Sequence, residues 1–322
     1  MTGASGFLGR HVAEALLAGG RSVRCLVRSE AAVARLPAGS EPVRGDLLDP
    51  GRLTRVLDGC RYLIHTAAVY SFSPRDRELL RAVNVAGTAG LLEAARLAGI
   101  EKAVVTSSSA TVGPAREGRP ATEDDIPRAG RPASAYHASK LEQERVACAA
   151  RVPTVLVLPT MPVGAGDWKP TPTGRMVLDT VRGRMPAYPA GGANVVAVED
   201  AARAHVLALE CGRAGARYLA GGENLSLRDL LGLIAARAGR RPARLPMPYR
   251  AAWALGWGDE LRCRAGLGRQ PHIPLEGVLM SRERMHVSCA RAAAELGYRP
   301  LTSTTEAIGR AVGWYRDHGY AT

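Results

Sequence analysis

The stretch Thr2-Gly3-Ala4-Ser5-Gly6-Phe7-Leu8-Gly9 most constrains what this chain can fold into. Glycines at 3, 6 and 9 permit a tight turn, a close backbone approach to a pyrophosphate, and tight packing of the following helix on its strand. The free N–H groups opening that helix, at Phe7, Leu8 and Gly9, would then face the anion. The spacing alone is weak, because the chain holds 36 glycines and a glycine-rich turn is ordinary punctuation. One part is missing. A doubly wound sheet needs about five or six hydrophobic residues ahead of such a turn, and only Met1 precedes Thr2. The first strand is therefore expected to be truncated, as though the start had been assigned too late. The sheet should then show a gap or re-paired neighbours.

Downstream, strands and helices alternate. Helical spacing runs over His11–Ala18 and stops at Gly19-Gly20. Strands are expected at 22–27, 42–45, 62–67, 104–107 and 154–158. Helices are expected after Asp49-Pro50, which cap one start, and over 78–97 and 134–149. This order predicts an α/β chain with a parallel sheet covered on both faces, over residues 1–160. Beyond Pro159 the texture changes to Pro-, Gly- and Thr-rich sequence and shorter elements. Helices are expected over 174–182, 200–210 and 305–318, and strands over 194–198 and 217–219. Residues 161–322 thus read as mainly a smaller substrate lobe, with part of 190–220 returning to the main sheet. Glu199 and Asp200 read as the acidic start of a helix, and Trp253, Trp257 and Trp314 as core or interface.

No run of 18 apolar residues and no export signal is visible, so a cytoplasmic protein without a transmembrane segment is expected. The six cysteines lack disulfide or metal-binding spacing. A net charge of +13 raises nucleic-acid binding, but the arginines are dispersed and stacking aromatics are few. Specific nucleic-acid binding is not expected.

The sharpest local signal is Tyr136-His137-Ala138-Ser139-Lys140. On a helix the Tyr and Lys, four apart, lie on one face. An adjacent ammonium favours the phenolate, so such a tyrosine can pass a proton to or from a carbonyl or hydroxyl. The lysine can also hydrogen-bond a nicotinamide ribose. With nine tyrosines and three lysines, chance supplies this pair only about 0.1 times. A hydroxyl-rich run, Thr106-Ser107-Ser108-Ser109-Ala110-Thr111, follows a strand. That is where open parallel sheets hold ligands, although ordinary turn chemistry gives similar runs. His65, ending a strand, reads as packed or cofactor-adjacent, not as a base.

Together these residues resemble the extended short-chain dehydrogenase/reductase superfamily, a Rossmann-type fold, across nearly the whole chain. Within it the chain looks most like the dihydroflavonol-reductase-like branch, and more closely the hopanoid-associated sugar epimerases. The closer likeness rests on Lys169-Pro-Thr-Pro-Thr-Gly-Arg175, Arg182-Gly-Arg-Met-Pro-Ala-Tyr188, Asn194-Val-Val and Gly221-Gly-Glu-Asn-Leu225. The resemblance implies that Gly3, Gly6 and Gly9 bind pyrophosphate, that Tyr136 and Lys140 are the catalytic pair, and that Ser108 is the third catalytic member in preference to Ser107 or Ser109. It implies adenine contacts at Asp46 and Leu47, a cofactor-lining segment at Ala67 and Ala68, a bracing role for Asn84, and Pro159 against the nicotinamide.

The position where NAD-using relatives carry Asp is Val27, followed by Arg28. A guanidinium there suits a 2′-phosphate, so NADP(H) is the expected cofactor, with NAD(H) the alternative and Glu30 a competing charge. On the substrate side, Arg175, Arg182, Arg184, Tyr188 and Asn194 fall where relatives build their lobe, and an arginine there could face a diphosphate. The implied reaction is hydride transfer at a hydroxyl- or carbonyl-bearing carbon of a small-molecule substrate, as in a nucleotide-sugar epimerase linked to hopanoid synthesis. The rival is NADPH-dependent reduction of a ketone or aldehyde. A non-catalytic NADP-binding sensor or scaffold is the reading from another class. Relatives also imply a homodimer.

Overall fold

The computed structural model describes residues 1–114, 118–125, 127, 134–268, 271, 275, 278 and 284–321. Its main sheet is built from strands that are buried at its centre, as a sheet covered by helices requires, and exposed at its Glu41–Arg44 edge. These are β1 (Arg24–Val27), β2 (Glu41–Arg44), β3 (Tyr62–His65), β4 (Lys102–Thr106) and β5 (Thr154–Pro159). All pair parallel, and β5 is buried along its whole length. Between β1 and β3 the place of a leading strand is held by Met1 and Thr2. Thr2 bridges to Leu26 on one side and to His65 on the other. The neighbours do not re-pair. Only a small hollow of about 10 Å³ lies beside them, with Met1, Leu26, Leu57 and Leu63 in its lining.

Helix α1 (Phe7–Ala18) follows the glycine turn and stops where Gly20 takes a positive φ of 74°. Short α2 (Glu30–Val33) is capped by Ser29, whose hydroxyl accepts the Ala32 N–H. In α3 (Pro50–Leu57) proline opens the first turn, but Asp49 makes no capping bond and instead pairs with Arg52 at 3.4 Å. The single helix expected over 78–97 is interrupted. It consists of α4 (Arg77–Leu80), a π-helical turn Arg81–Gly87, and α5 (Thr88–Leu97). Such π turns reorient side chains at functional positions, and this one carries the buried Asn84. α6 (Ala135–Ala149) begins at Ser134, whose hydroxyl accepts the His137 N–H.

Beyond β5 follow β6 (Met161–Val163), α7 (Pro172–Val181), β7 (Ala187–Pro189), β8 (Gly192–Ala197), α8 (Val198–Cys211), β9 (Arg217–Ala220), β10 (Glu223–Ser226), α9 (Leu227–Ala238), β11 (Leu245–Met247) and α10 (Tyr249–Arg264). Then come β12 (Arg284–Met285), α11 (Ala290–Leu296) and α12 (Thr304–Asp317). β9 joins the main sheet beside β5, giving the order β2-β1-Thr2-β3-β4-β5-β9. β8 instead centres a second sheet, with β10 antiparallel on one edge and β6 and β12 parallel on the other. β7 and β11 form a separate parallel pair.

Three cores follow from this layout. One packs α1, α8 and α11 on one face of the main sheet, and a second packs α3, α5 and α6 on the other. The third joins α7, α9 and α12 around β8. Asp200 does not cap α8. Its carboxylate is buried and accepts the N–H groups of Leu301 and Thr302, fixing the chain ahead of α12. Trp253 and Trp257 are not core residues; both are exposed on α10.

Among the described residues, His65 and His205 are wholly buried. Burial lowers His65 to about 3 and His205 to about 4, so both fold neutral. Below about pH 6.5 the unfolded chain takes up protons that the folded one refuses, so stability should fall as pH drops from 6.5 toward 4. Each histidine contributes a slope of about 1.4 kcal/mol per pH unit in that window. Denaturant unfolding across this range should show the combined slope, and His205→Gln should remove about half of the histidine share.

Candidate active site

The glycine turn is sterically determined. Gly3 has φ 78°, and a Cβ there would sit 2.5 Å from the Ala67 nitrogen and the Thr66 hydroxyl. A Cβ on Gly9 would lie 2.1 Å from the Gly3 carbonyl oxygen. The Gly6 N–H closes the turn on the Gly3 carbonyl at 2.9 Å, and no side chain caps α1. The first-turn N–H groups of α1 are thus presented at the carboxyl edge of the sheet, on a turn packed so closely on Thr66 and Ala67 that only glycine fits at positions 3 and 9. This fits a diphosphate.

Around this cradle lie the other expected cofactor residues. Arg28 is exposed just past β1 and makes no hydrogen bond or ion pair among the described residues, while Glu30 is taken up by Arg44. Val27 is buried. Asp46 follows β2 and accepts the Leu48 N–H at 3.0 Å, whereas the Leu47 side chain turns into the core, leaving only its backbone for a ligand. Ala67 and Ala68 follow β3, and Ala67 lies directly against Gly3. Pro159 closes β5, and the next residue, Thr160, has a buried hydroxyl without a partner among the described residues.

Tyr136 lies in the first turn of α6, buried, with its ring against Tyr70 at 4.6 Å and edge-on to Phe72 at 5.9 Å. Lys140 follows one turn later and is buried. Its ammonium donates to the Thr106 carbonyl at 2.9 Å and to the Gln143 amide oxygen at 2.6 Å. Burial lowers it to about 8, with the charge of Glu144 pulling the other way. Two of its three N–H groups are engaged in this way, which leaves one for a ligand.

The hydroxyl run divides by partner. Thr106 pairs with His205 at 2.8 Å, while Ser107 and Thr111 both donate to the buried Glu144 carboxylate. Ser107 is therefore sequestered. Ser108 caps a short 3-10 turn by accepting the Ala110 N–H at 3.2 Å, which leaves its own hydrogen to donate. It lies two residues past the Thr106 carbonyl that holds Lys140, so Ser108 and the Tyr136–Lys140 face share one end of β4. Asn84 clamps the neighbourhood, bonding both Val69 backbone groups and the Ser139 hydroxyl on α6.

A buried polar chain runs behind the pair. Thr88 donates to the Asn84 carbonyl at 2.7 Å, so its two lone pairs receive Gln143 Nε2 at 3.0 Å and His65 Nε2 at 2.9 Å. His65 is then the Nε2–H tautomer, with Nδ1 accepting from Thr2 at 2.7 Å. With both nitrogens engaged, His65 is no base. Sequence reading missed Gln143 and Glu144, although both lie one turn from Lys140, Glu144 on the Tyr136–Lys140 face. It could not have placed Thr88, which meets Gln143 across 55 residues. The substrate-lobe candidates do not gather here. Arg182 donates to the Tyr320 carbonyl, Arg175 and Arg184 are exposed, and Asn194 is buried, tying β8 to Gly222 and Asn224. Tyr188 meets Arg228.

This arrangement, a phosphate cradle beside a buried Tyr–Lys pair on a doubly wound sheet, defines a nucleotide-dependent oxidoreductase of the extended short-chain type. The model of the NAD-dependent epimerase/dehydratase family matches residues 1–221, and the chain belongs to that family. It is 37% identical to a dihydroflavonol 4-reductase-like protein of Synechocystis, over 99% of this chain and 95% of that one. It is 33% identical to sterol demethylase protein B of Methylococcus capsulatus (99% and 98% covered). It is 34% identical to a farnesyl-dihydroquinoline-oxide ketoreductase of Stigmatella aurantiaca (92% and 90%). The solved structure of a nucleoside-diphosphate-sugar epimerase from Pseudomonas aeruginosa superposes with a TM-score of 0.82 at 29% identity, covering 100% of this chain and 98% of that one. Among the described residues no helix is long and apolar enough to cross a membrane.

Gly9→Ala should force two backbone segments apart. An overpacking cost of about 1–3 kcal/mol or more is expected, read as a lower thermal midpoint together with loss of dinucleotide binding by fluorescence titration.

Proposed function

We propose that this chain is an NADP(H)-preferring oxidoreductase that interconverts a ketone and its secondary alcohol on a largely apolar substrate. The observation carrying the reading is the buried Tyr136–Lys140 pair packed beside the aromatic rings of Tyr70 and Phe72. An aromatic wall there favours an apolar ring system over a hydrated sugar. The names of the sterol- and farnesyl-linked relatives support the same substrate class.

A bound nicotinamide would supply hydride chemistry at the carbonyl carbon. Tyr136 donates its phenolic proton to the oxygen as the carbonyl π bond breaks, and takes it back in the oxidative direction. The Lys140 ammonium stabilises the phenolate left behind, and its remaining N–H holds the ribose. Ser108 donates to the reacting oxygen as charge develops. Arg28 grips the 2′-phosphate.

A second reading, a nucleotide-sugar epimerase of the hopanoid-associated type, is favoured by the sequence runs of the second lobe and by the Pseudomonas structure. It has less support at the site, since Arg182 is already bonded to the Tyr320 carbonyl. Purified protein with NADPH and a panel of cyclic ketones should lose reduced-nicotinamide absorbance stoichiometrically with alcohol formed. Turnover of a nucleotide sugar without net loss would instead establish the epimerase. Tyr136→Phe should lower kcat by roughly 10²–10⁴ while leaving NADPH affinity nearly intact; full activity in this variant would remove Tyr136 from the proton transfer, whereas cellular function left unchanged by it would favour a scaffold. Arg28→Glu should weaken NADPH binding roughly ten- to a hundredfold, with NADH binding little changed.

A further inference from the structure

We propose that α10 is a docking helix that seats this protein on an anionic lipid surface. Its inward face is built from small residues, Ala252, Gly256 and Cys263, and gives the core little. The outward face carries Trp253, Trp257 and Leu261, spaced four apart on one stripe and 44%, 53% and 51% exposed. Leu267, just beyond the helix, is 75% exposed. Single exposed apolar residues are ordinary, but a contiguous patch with two tryptophans marks an interaction surface.

Charge selects the occupant. Both carboxylates of the helix are half-buried and neutralised, Asp259 by Arg262 and Glu260 by Arg264, each at 2.8 Å. Glu260 flanks the outward stripe three residues from Trp257, but its side chain is only 19% exposed and paired with Arg264, so the charges exposed beside the tryptophans are those of Arg250 and Arg264. Tryptophan and arginine interleaved on one helical face match the boundary between headgroups and acyl chains. The net charge of +13 adds long-range attraction to an anionic leaflet. A second copy fits worse, because an antiparallel two-fold contact centred on Trp257 would set Arg250 against the second copy's Arg264. The helix is also well placed. It packs on the turn Pro74–Asp76, directly after Phe72, whose ring stands on Tyr136. A lipid surface under α10 would adjoin the aromatic wall of the active site.

The inference does not depend on the proposed reaction, since lipid binding is read without cofactor or substrate. The full chain is sedimented with vesicles of phosphatidylcholine alone and with vesicles of equal parts phosphatidylcholine and phosphatidylglycerol. Binding to the anionic vesicles is expected, with a blue shift of tryptophan emission and weakening as salt is raised. The double variant Trp253→Ser, Trp257→Ser should bind roughly tenfold more weakly or worse, with an unchanged thermal midpoint, and Arg250→Gln should lose part of the affinity. Wild-type protein left in the supernatant, or a double variant that binds as tightly as wild type, overturns the proposal. So does concentration-dependent self-association in sedimentation velocity that the double variant abolishes while vesicles bind neither protein.

Discussion

Burying a single ammonium group sets the terms for much of this structure. Taking the charge of Lys140 out of water costs several kcal/mol unless oxygen acceptors replace the lost hydration. Here the Thr106 carbonyl and the Gln143 amide oxygen do so, with Glu144 supplying negative charge one turn further along α6. Each acceptor depends on other elements in turn. The Thr106 carbonyl is aimed by the end of β4, Gln143 is held by Thr88 on α5, and Glu144 gathers Ser107, Thr111 and Arg217. The residual depression of the lysine leaves it charged near neutrality yet closer to releasing its proton than a solvated lysine.

The Pro- and Gly-rich stretch after β5 is fastened to the glycine turn. Trp168 donates its indole N–H to the Ser5 carbonyl inside the glycine turn at 3.1 Å, and the Arg35 guanidinium stacks over its ring at 3.8 Å. Tyr320, near the end of the chain, donates to the Trp168 carbonyl at 2.5 Å. The buried Asp167 beside it accepts from Thr171 and Tyr315, which burial would otherwise penalise. Residues that read in sequence as a Pro- and Gly-rich connection thus form a joint with the glycine turn.

Features encoded by local spacing were legible before any coordinates. Three glycines at intervals of three, and a Tyr and Lys one helical turn apart, report their geometry directly because the intervening backbone is regular. Features set by sheet order were not. The partners of His65 lie 63 and 23 residues away, and Thr106 meets His205 across 99 residues. No periodicity carries that information. The break in the helix over 78–97 was not legible because the local sequence there carries no proline that would mark a π turn. On α10, spacing grouped the tryptophans on a face but could not say whether that face meets protein or water. Glu144 sat in plain view on the Tyr136–Lys140 face, and a polar residue one turn beyond a buried lysine was the available signal.

The hydrogen-bond relay from Thr2 through His65, Thr88 and Gln143 to Lys140 has a fixed polarity, since each hydroxyl and ring nitrogen has one role left to it. It works as a caliper. One jaw ends at the residue that leads into the glycine turn, the other at the lysine, and no link can change length without orphaning a buried donor. A dinucleotide laid across the sheet would thus meet two anchors whose separation is already gauged, with little left to adjust when it arrives.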